Sequence, residues 1–226
     1  MPLRYIQHKY LKYNKGKGFI CCHVDALHAM PPAADLFTDS IVERIIEKTG
    51  CAGIIGTVSR NIVDLNRLPN GENDEGIKEY RNAINDIVTS LGILNQNNTI
   101  IKPYLHLSFH GMKDEHYGPY AIEIGTLKGK SCSPDIKEWL LLHLNKICKE
   151  KFPQIKIILD NKFVGNPSIE LHRWGDGHSY LGYQQNFHSF QIEISRTLRK
   201  KYCKEISEIY SQIITDFQKE FVEPSY

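Results

Sequence analysis

The sequence predicts an α/β fold of three layers, a mainly parallel mixed sheet covered by helices on both faces. Three observations predict it. Apolar β-branched runs alternate with amphipathic segments of ten to twenty residues. Several runs are apolar on both faces, as strands buried between helices must be. No repeat, low-complexity segment or long linker divides the 226 residues, so one domain over 1–226 is expected.

The elements follow in order. "GFICCHV" reads as a buried strand, and "DSIVERIIEKTG" as a helix with Ile41, Val42, Ile45 and Ile46 inward, Ser40 and Glu43 as a capping box, and Gly50 at its end. "AGIIGTVS" and "NIVDL" are strand-like. "DEGIKEYRNAINDIVTSLGI" has helical periodicity and closes at Gly92, after which "KPYLHLSFHG" and "YAIEIGT" read as strands. Ser133 caps a helix that has Pro134 at its first position and runs through "CKEK". "IKIILDN" and "HSFQIEIS" are strands, and a helix is expected from about Lys201 to Phe221.

Composition bounds the function. With 28 basic against 26 acidic residues the net charge is +2, which gives no reason to expect nucleic acid or an anionic membrane as partner. The first residues lack the apolar stretch of a signal peptide, and no run approaches the ~20 apolar residues of a membrane span. A cytoplasmic location is expected. Six cysteines without a CxxC pair read as reduced thiols, Cys21 and Cys22 as small hydrophobes.

In parallel sheets, sites form at the carboxyl ends of strands, and polar residues collect there in this sequence. His23 follows "GFICC", Ser59–Arg67 follows "AGIIGT", His110 follows "YLHLSF", and Glu193 lies within "FQIEIS". In "YLHLSFHGM" strand alternation puts His106, Ser108 and His110 on one face. Two histidines and a carboxylate at separate strand ends suit the open three-ligand site of a catalytic zinc ion. Glu193 alternates with Phe190, Ile192 and Ile194, and a carboxylate in a central strand is costly unless it is paired or used. As a base beside a metal-bound water it would gain from that semi-burial. Arg67 beside Asn66 offers a planar donor fork for a carboxylate. The aromatic and glycine-rich stretch 171–188 has the length of a lid or binding loop, with His172 and Arg173 as contacts, or of a loop that packs on the core.

The segments "CCHVDA", "LFTDSIVERI", "SRNIVDLNR", "SFHGM", "IGTLKGKSCSPDI" and "HSFQIEISR" together resemble the N-formylglutamate amidohydrolase family, part of the broader zinc carboxypeptidase and aspartoacylase group. The resemblance implies a carboxypeptidase-like α/β/α hydrolase in which one zinc ion activates water against an amide carbonyl. By motif it implies His23 and His110 as ligands, Glu193 as catalytic base, and Asn66 and Arg67, with Arg60, as binders of a substrate carboxylate. The acidic ligand is open between Asp39, which is preferred, and Asp25, because the third position after His23 is Ala26. Ser108 stands where relatives carry an acid. The expected activity is hydrolysis of a small N-acyl amino acid or related carboxylate-bearing amide. The alternatives are a peptidase or amidase on γ-linked or cell-wall peptides, and a catalytically silent carboxylate-binding relative.

Overall fold

The computed structural model describes residues 3–223. Its centre is an eight-stranded mixed sheet in the order β1 (Ile6–Gln7), β2 (Leu11–Asn14), β4 (Ala52–Gly56), β3 (Cys22–Ala26), β5 (Tyr104–Met112), β8 (Phe187–Ser195), β6 (Ala121–Gly125) and β7 (Lys156–Leu159). The four central strands β4, β3, β5 and β8 are mutually parallel, while β2 and β6 join them antiparallel. All four therefore end on the same edge of the sheet.

The two faces of the sheet differ in chemistry. Register places His23 opposite His106 and Asp25 opposite Ser108. It also places His106, Ser108 and His110 opposite Ser189, Gln191 and Glu193. One face is therefore polar across three strands, and the other carries Val24, Leu105, Leu107, Phe109, Phe190, Ile192 and Ile194. The apolar face packs on α1 (Thr38–Thr49), α3 (Pro134–Lys151) and α6 (Cys203–Phe217), whose inward residues include Ile41, Ile45, Leu140, Leu144, Ile209 and Ile213. Each such side chain, fully buried, contributes about 1.5–3 kcal/mol. Across the polar face lie α2 (Asp74–Ser90), with Tyr80, Ile84 and Ile87, and the short α4 (Pro167–Trp174). None of the described helices is long and apolar enough to cross a membrane.

Several expectations are corrected. "NIVDL" is not a strand: β4 already has β2 and β3 on its two edges, so the segment after it has nothing to pair with and forms an irregular loop. Helix α1 begins at Thr38, and Phe37 precedes it in the left-handed region, so Ser40 lies inside the first turn and makes no capping box. The terminal helix is three pieces, α5 (Arg196–Lys201), α6 and a final π turn (Gln218–Val222). The hairpin β1–β2 and α4 had no counterpart in the sequence reading. Gly50 closes α1 in the left-handed region, and the Ser133 hydroxyl accepts from the Ile136 amide at the start of α3, both as expected.

One glycine shapes the strand-end edge. A Cβ at Gly56 would overlap the Leu27 carbonyl oxygen, so the end of β4 admits the turn after β3 only without a side chain.

Candidate metal centre and general base

Strand β3 ends at Ala26, and the chain turns through Leu27 and His28 before running to Asp35. The Asp35 amide donates to the His28 carbonyl at 2.7 Å, closing this loop on itself. His28 and Asp35 thereby arrive at the end of β5 beside His110, and all three are buried. Nδ1 of His28 lies 3.2 Å from Nδ1 of His110. The Asp35 Oδ2 lies 3.5 Å from the first and 3.4 Å from the second.

Those separations have a chemical meaning. Ligands at about 2.0–2.1 Å in a tetrahedral zinc site stand about 3.3–3.4 Å apart. The other ring nitrogens decide what the three atoms are. Nε2 of His28 is 2.7 Å from the Asp64 Oδ1, so it carries the proton and leaves Nδ1 as a lone pair. Nε2 of His110 is 3.0 Å from the Ser108 hydroxyl, whose own proton goes to Asp25 at 2.6 Å. Ser108 must therefore accept from His110, and Nδ1 of His110 is also a lone pair. With one proton on each ring, three acceptors thus converge on one point, an arrangement that a cation, or a further proton on a ring, satisfies. The donor set fits zinc.

The electrostatics favour positive charge at this point, where a proton and a metal ion would compete. Although burial opposes ionisation, His110, His28 and Arg60 hold the Asp35 carboxyl well below its usual range. Burial lowers the proton affinity of His110, but Asp35 and the carboxylates around it outweigh that and push it up. The pocket draws positive charge. Arg60 binds the other oxygen of Asp35, Oδ1, at 2.6 Å.

Glu193 is on the neighbouring strand as the register partner of His110. Its Oε1 accepts from the Gln191 side chain at 2.9 Å, and burial followed by the negative charge of Asp35 raises its pKa above the ordinary glutamate value. Gln191 is in turn held by the Asn66 amide at 3.3 Å and the Asn166 backbone at 3.0 Å, while Asn66 accepts from Ser168 at 2.8 Å. A cavity of about 270 Å³ borders Asp35 and is lined also by Gly111, Met112, Lys113, Arg196 and Arg199. A larger cavity of about 620 Å³, along α2 and residues 176–183, touches none of His28, Asp35 and His110.

The sequence-predicted residues divide accordingly. His110 and Glu193 come together at the strand ends. His23 does not join them: it is the second residue of β3, fully buried, with Nδ1 on the Tyr104 hydroxyl at 3.0 Å and Nε2 without a partner among the described residues. It belongs to a second cluster with Asp25 and His106. There the His23 and His106 rings stack at 4.1 Å and 9°. Ring lone pairs lie in the ring plane, so two parallel stacked rings cannot aim at one ion. Asp39 sits in the first turn of α1, where its Oδ1 accepts from the Ser40 amide at 2.8 Å. The residues beside His110 are His28 and Asp35 rather than His23 and Asp39. Arg60 is engaged on Asp35 and Asn66 on Gln191 and Ser168. Arg67 is half-exposed, braced by Asp64 at 3.4 Å. Of the stretch 171–188, His172 and Arg173 are buried in α4, and His172 packs edge-on against Tyr80 and His106.

Buried neutral histidines make stability depend on pH. Burial, followed for His172 by His106 and for His188 by Arg173, pushes both from 6.5 down to about 3. Between those values the unfolded chain binds the protons that the folded one refuses. The stabilisation is therefore complete above pH 6.5 and falls as pH drops toward 3. At pH 5 each residue is expected to cost roughly 2 kcal/mol. His23, also lowered by burial, adds with the same sign, and His110 opposes. Urea unfolding at pH 7 and pH 5 checks this, with His188→Gln flattening the dependence. Equal midpoints at the two pH values would contradict it.

No family model matches the sequence, and no curated protein matches it. Solved structures do share the fold. An N-formylglutamate amidohydrolase from Ralstonia eutropha JMP134 superposes with a TM-score of 0.62 at 14% identity, over 94% of this chain and 98% of that one. A bacteriophage poly-gamma-glutamate hydrolase gives 0.52 at 13%, over 92% and 89%. A metallo-carboxypeptidase from Burkholderia cenocepacia gives 0.52 at 13%, over 92% of this chain but 61% of that one. At such identities the likeness establishes the α/β/α fold.

Proposed function

We propose that this chain is a zinc-dependent hydrolase of small N-acyl amino acids or related carboxylate-bearing amides, with His28, Asp35 and His110 as metal ligands and Glu193 as general base. The observation that carries the reading is the convergence of three acceptor atoms 3.2–3.5 Å apart, with a buried carboxylate on the adjacent strand. The shared fold of an amidohydrolase, a poly-gamma-glutamate hydrolase and a metallo-carboxypeptidase supports it.

When bound, the ion supplies Lewis-acid polarisation and lowers the pKa of water at the site. The protein does the rest. Asp64 holds the His28 ring, and Arg60 holds Asp35, so two of the three ligand atoms are fixed in advance. Glu193, oriented by Gln191 and Asn66, takes the proton from the attacking water and delivers it to the leaving amine. Desolvation raises its pKa toward the working range. Arg67, half-exposed at the end of the Ser59–Arg67 loop, is assigned to the substrate carboxylate. The cavity beside Asp35 has Lys113, Arg196 and Arg199 in its wall, a basic lining that suits an anionic substrate.

Metal analysis and a substrate panel test this. The purified protein is expected to hold one equivalent of zinc and to hydrolyse N-formyl or N-acetyl amino acids, or γ-glutamyl peptides, in preference to their carboxyl methyl esters. Chelation should abolish turnover and zinc restore it. Failure to bind a divalent ion stoichiometrically would overturn the enzyme reading and favour a silent binding relative.

A further inference from the structure

The cluster of His23, Asp25 and His106 holds no converging lone pairs, yet it keeps a carboxylate that is 0% exposed. Asp25 accepts three hydrogen bonds: from the Tyr80 hydroxyl at 2.6 Å, from Nε2 of His106 at 2.7 Å and from the Ser108 hydroxyl at 2.6 Å. An ionised carboxylate has no proton to give, so each partner must donate. Ser108 has a single proton, and Asp25 takes it. The Ser108 oxygen, 3.0 Å from Nε2 of His110, is left able only to accept.

We propose that Asp25, acting through Ser108, is a positioning residue that fixes the tautomer of His110 and aims its Nδ1 at the metal. This rests on the ligand assignment above. It gives His110 what Asp64 gives His28, with a hydroxyl interposed. Sheet register explains the intermediary. Asp25 is the cross-strand partner of Ser108, and His110 is two residues further along the same face. The hydroxyl of Ser108 spans that step. The anchor is itself braced: His106 gives its Nε2 proton to Asp25 and accepts at Nδ1 from Ser189 at 2.7 Å, while Tyr80 reaches in from α2. A buried chain thus runs Ser189, His106, Asp25, Ser108, His110 to the candidate metal point. The second cluster is on this reading the foundation of the first.

The test is made on two readouts. Zinc affinity by chelator competition is expected to fall about 10–100-fold in Ser108→Ala, the range for loss of an outer hydrogen-bond partner, and to recover in Ser108→Thr. Nitrogen-15 spectra of the metal-free protein at alkaline pH should show His110 protonated at Nε2, and a shift toward Nδ1 protonation in Ser108→Ala. Unchanged zinc affinity in Ser108→Ala, or a wild-type His110 that carries its proton on Nδ1, overturns the proposal. If the wild type binds no zinc, the ligand assignment fails instead, and the metal-free spectra still decide the tautomer. The wild-type spectrum also decides it should Ser108→Ala not fold.

Discussion

Glu193→Gln is expected to keep its zinc, lower kcat by about 10²–10⁴-fold, and leave the protein as stable as the parent or more so. The three outcomes have one cause. Glutamine has nearly the shape of glutamate and still presents an oxygen to the Gln191 amide, so the packing of β8 and the metal triad one strand away are undisturbed. Only the ability to take a proton is removed. The stability sign follows from burial, because a carboxyl whose pKa is raised in the folded state is held there against its tendency to ionise. The neutral amide lifts that penalty. A residue that merely served packing would show the reverse, with activity and stability falling together. Measuring kcat, zinc content and the urea midpoint on one preparation separates the cases, and a variant that turns over at the parental rate would remove Glu193 from the mechanism.

The sequence reveals Glu193 and His110 because each is a polar residue inside an alternating strand, where burial makes it anomalous. Strand length could not be read as well. "GFICCHV" looks complete at Val24, so His23 seems to stand at the carboxyl end. The strand in fact continues to Ala26, which moves the strand-end position to His28. A two-residue difference in one boundary puts His28, rather than His23, beside His110. Asp35 was hidden for a different reason: it lies in an irregular loop whose path is set by contacts with His28 and Arg60, neither of which has a periodic signature. Asn66 was visible as a polar group, but its engagement with Gln191 and Ser168 spans 125 and 102 residues of chain. The core helices were legible because periodicity is local. The partners of a buried polar network are not.

The choice between the two histidine clusters gives the second large effect. His28→Ala is expected to lose zinc affinity by more than the about 10–100-fold attached to an outer partner, since it deletes a ligand atom itself. It should also cost stability, because it deletes a buried ring and that ring's hydrogen bond to Asp64. His23→Ala should differ in its zinc readout. It leaves the lone pairs of His28, Asp35 and His110 in place, so zinc affinity changes little. It empties a fully buried site against Tyr104 and His106 and should destabilise by roughly 2–4 kcal/mol. His23→Phe guards against a variant that fails to fold: it keeps a ring stacked on His106 and deletes Nε2, which has no partner among the described residues. Zinc titration and urea unfolding of the three variants test the pair of claims together. A His23 variant that folds but cannot hold zinc would move the metal to the deeper cluster, and the stacked rings there would have to part to receive it.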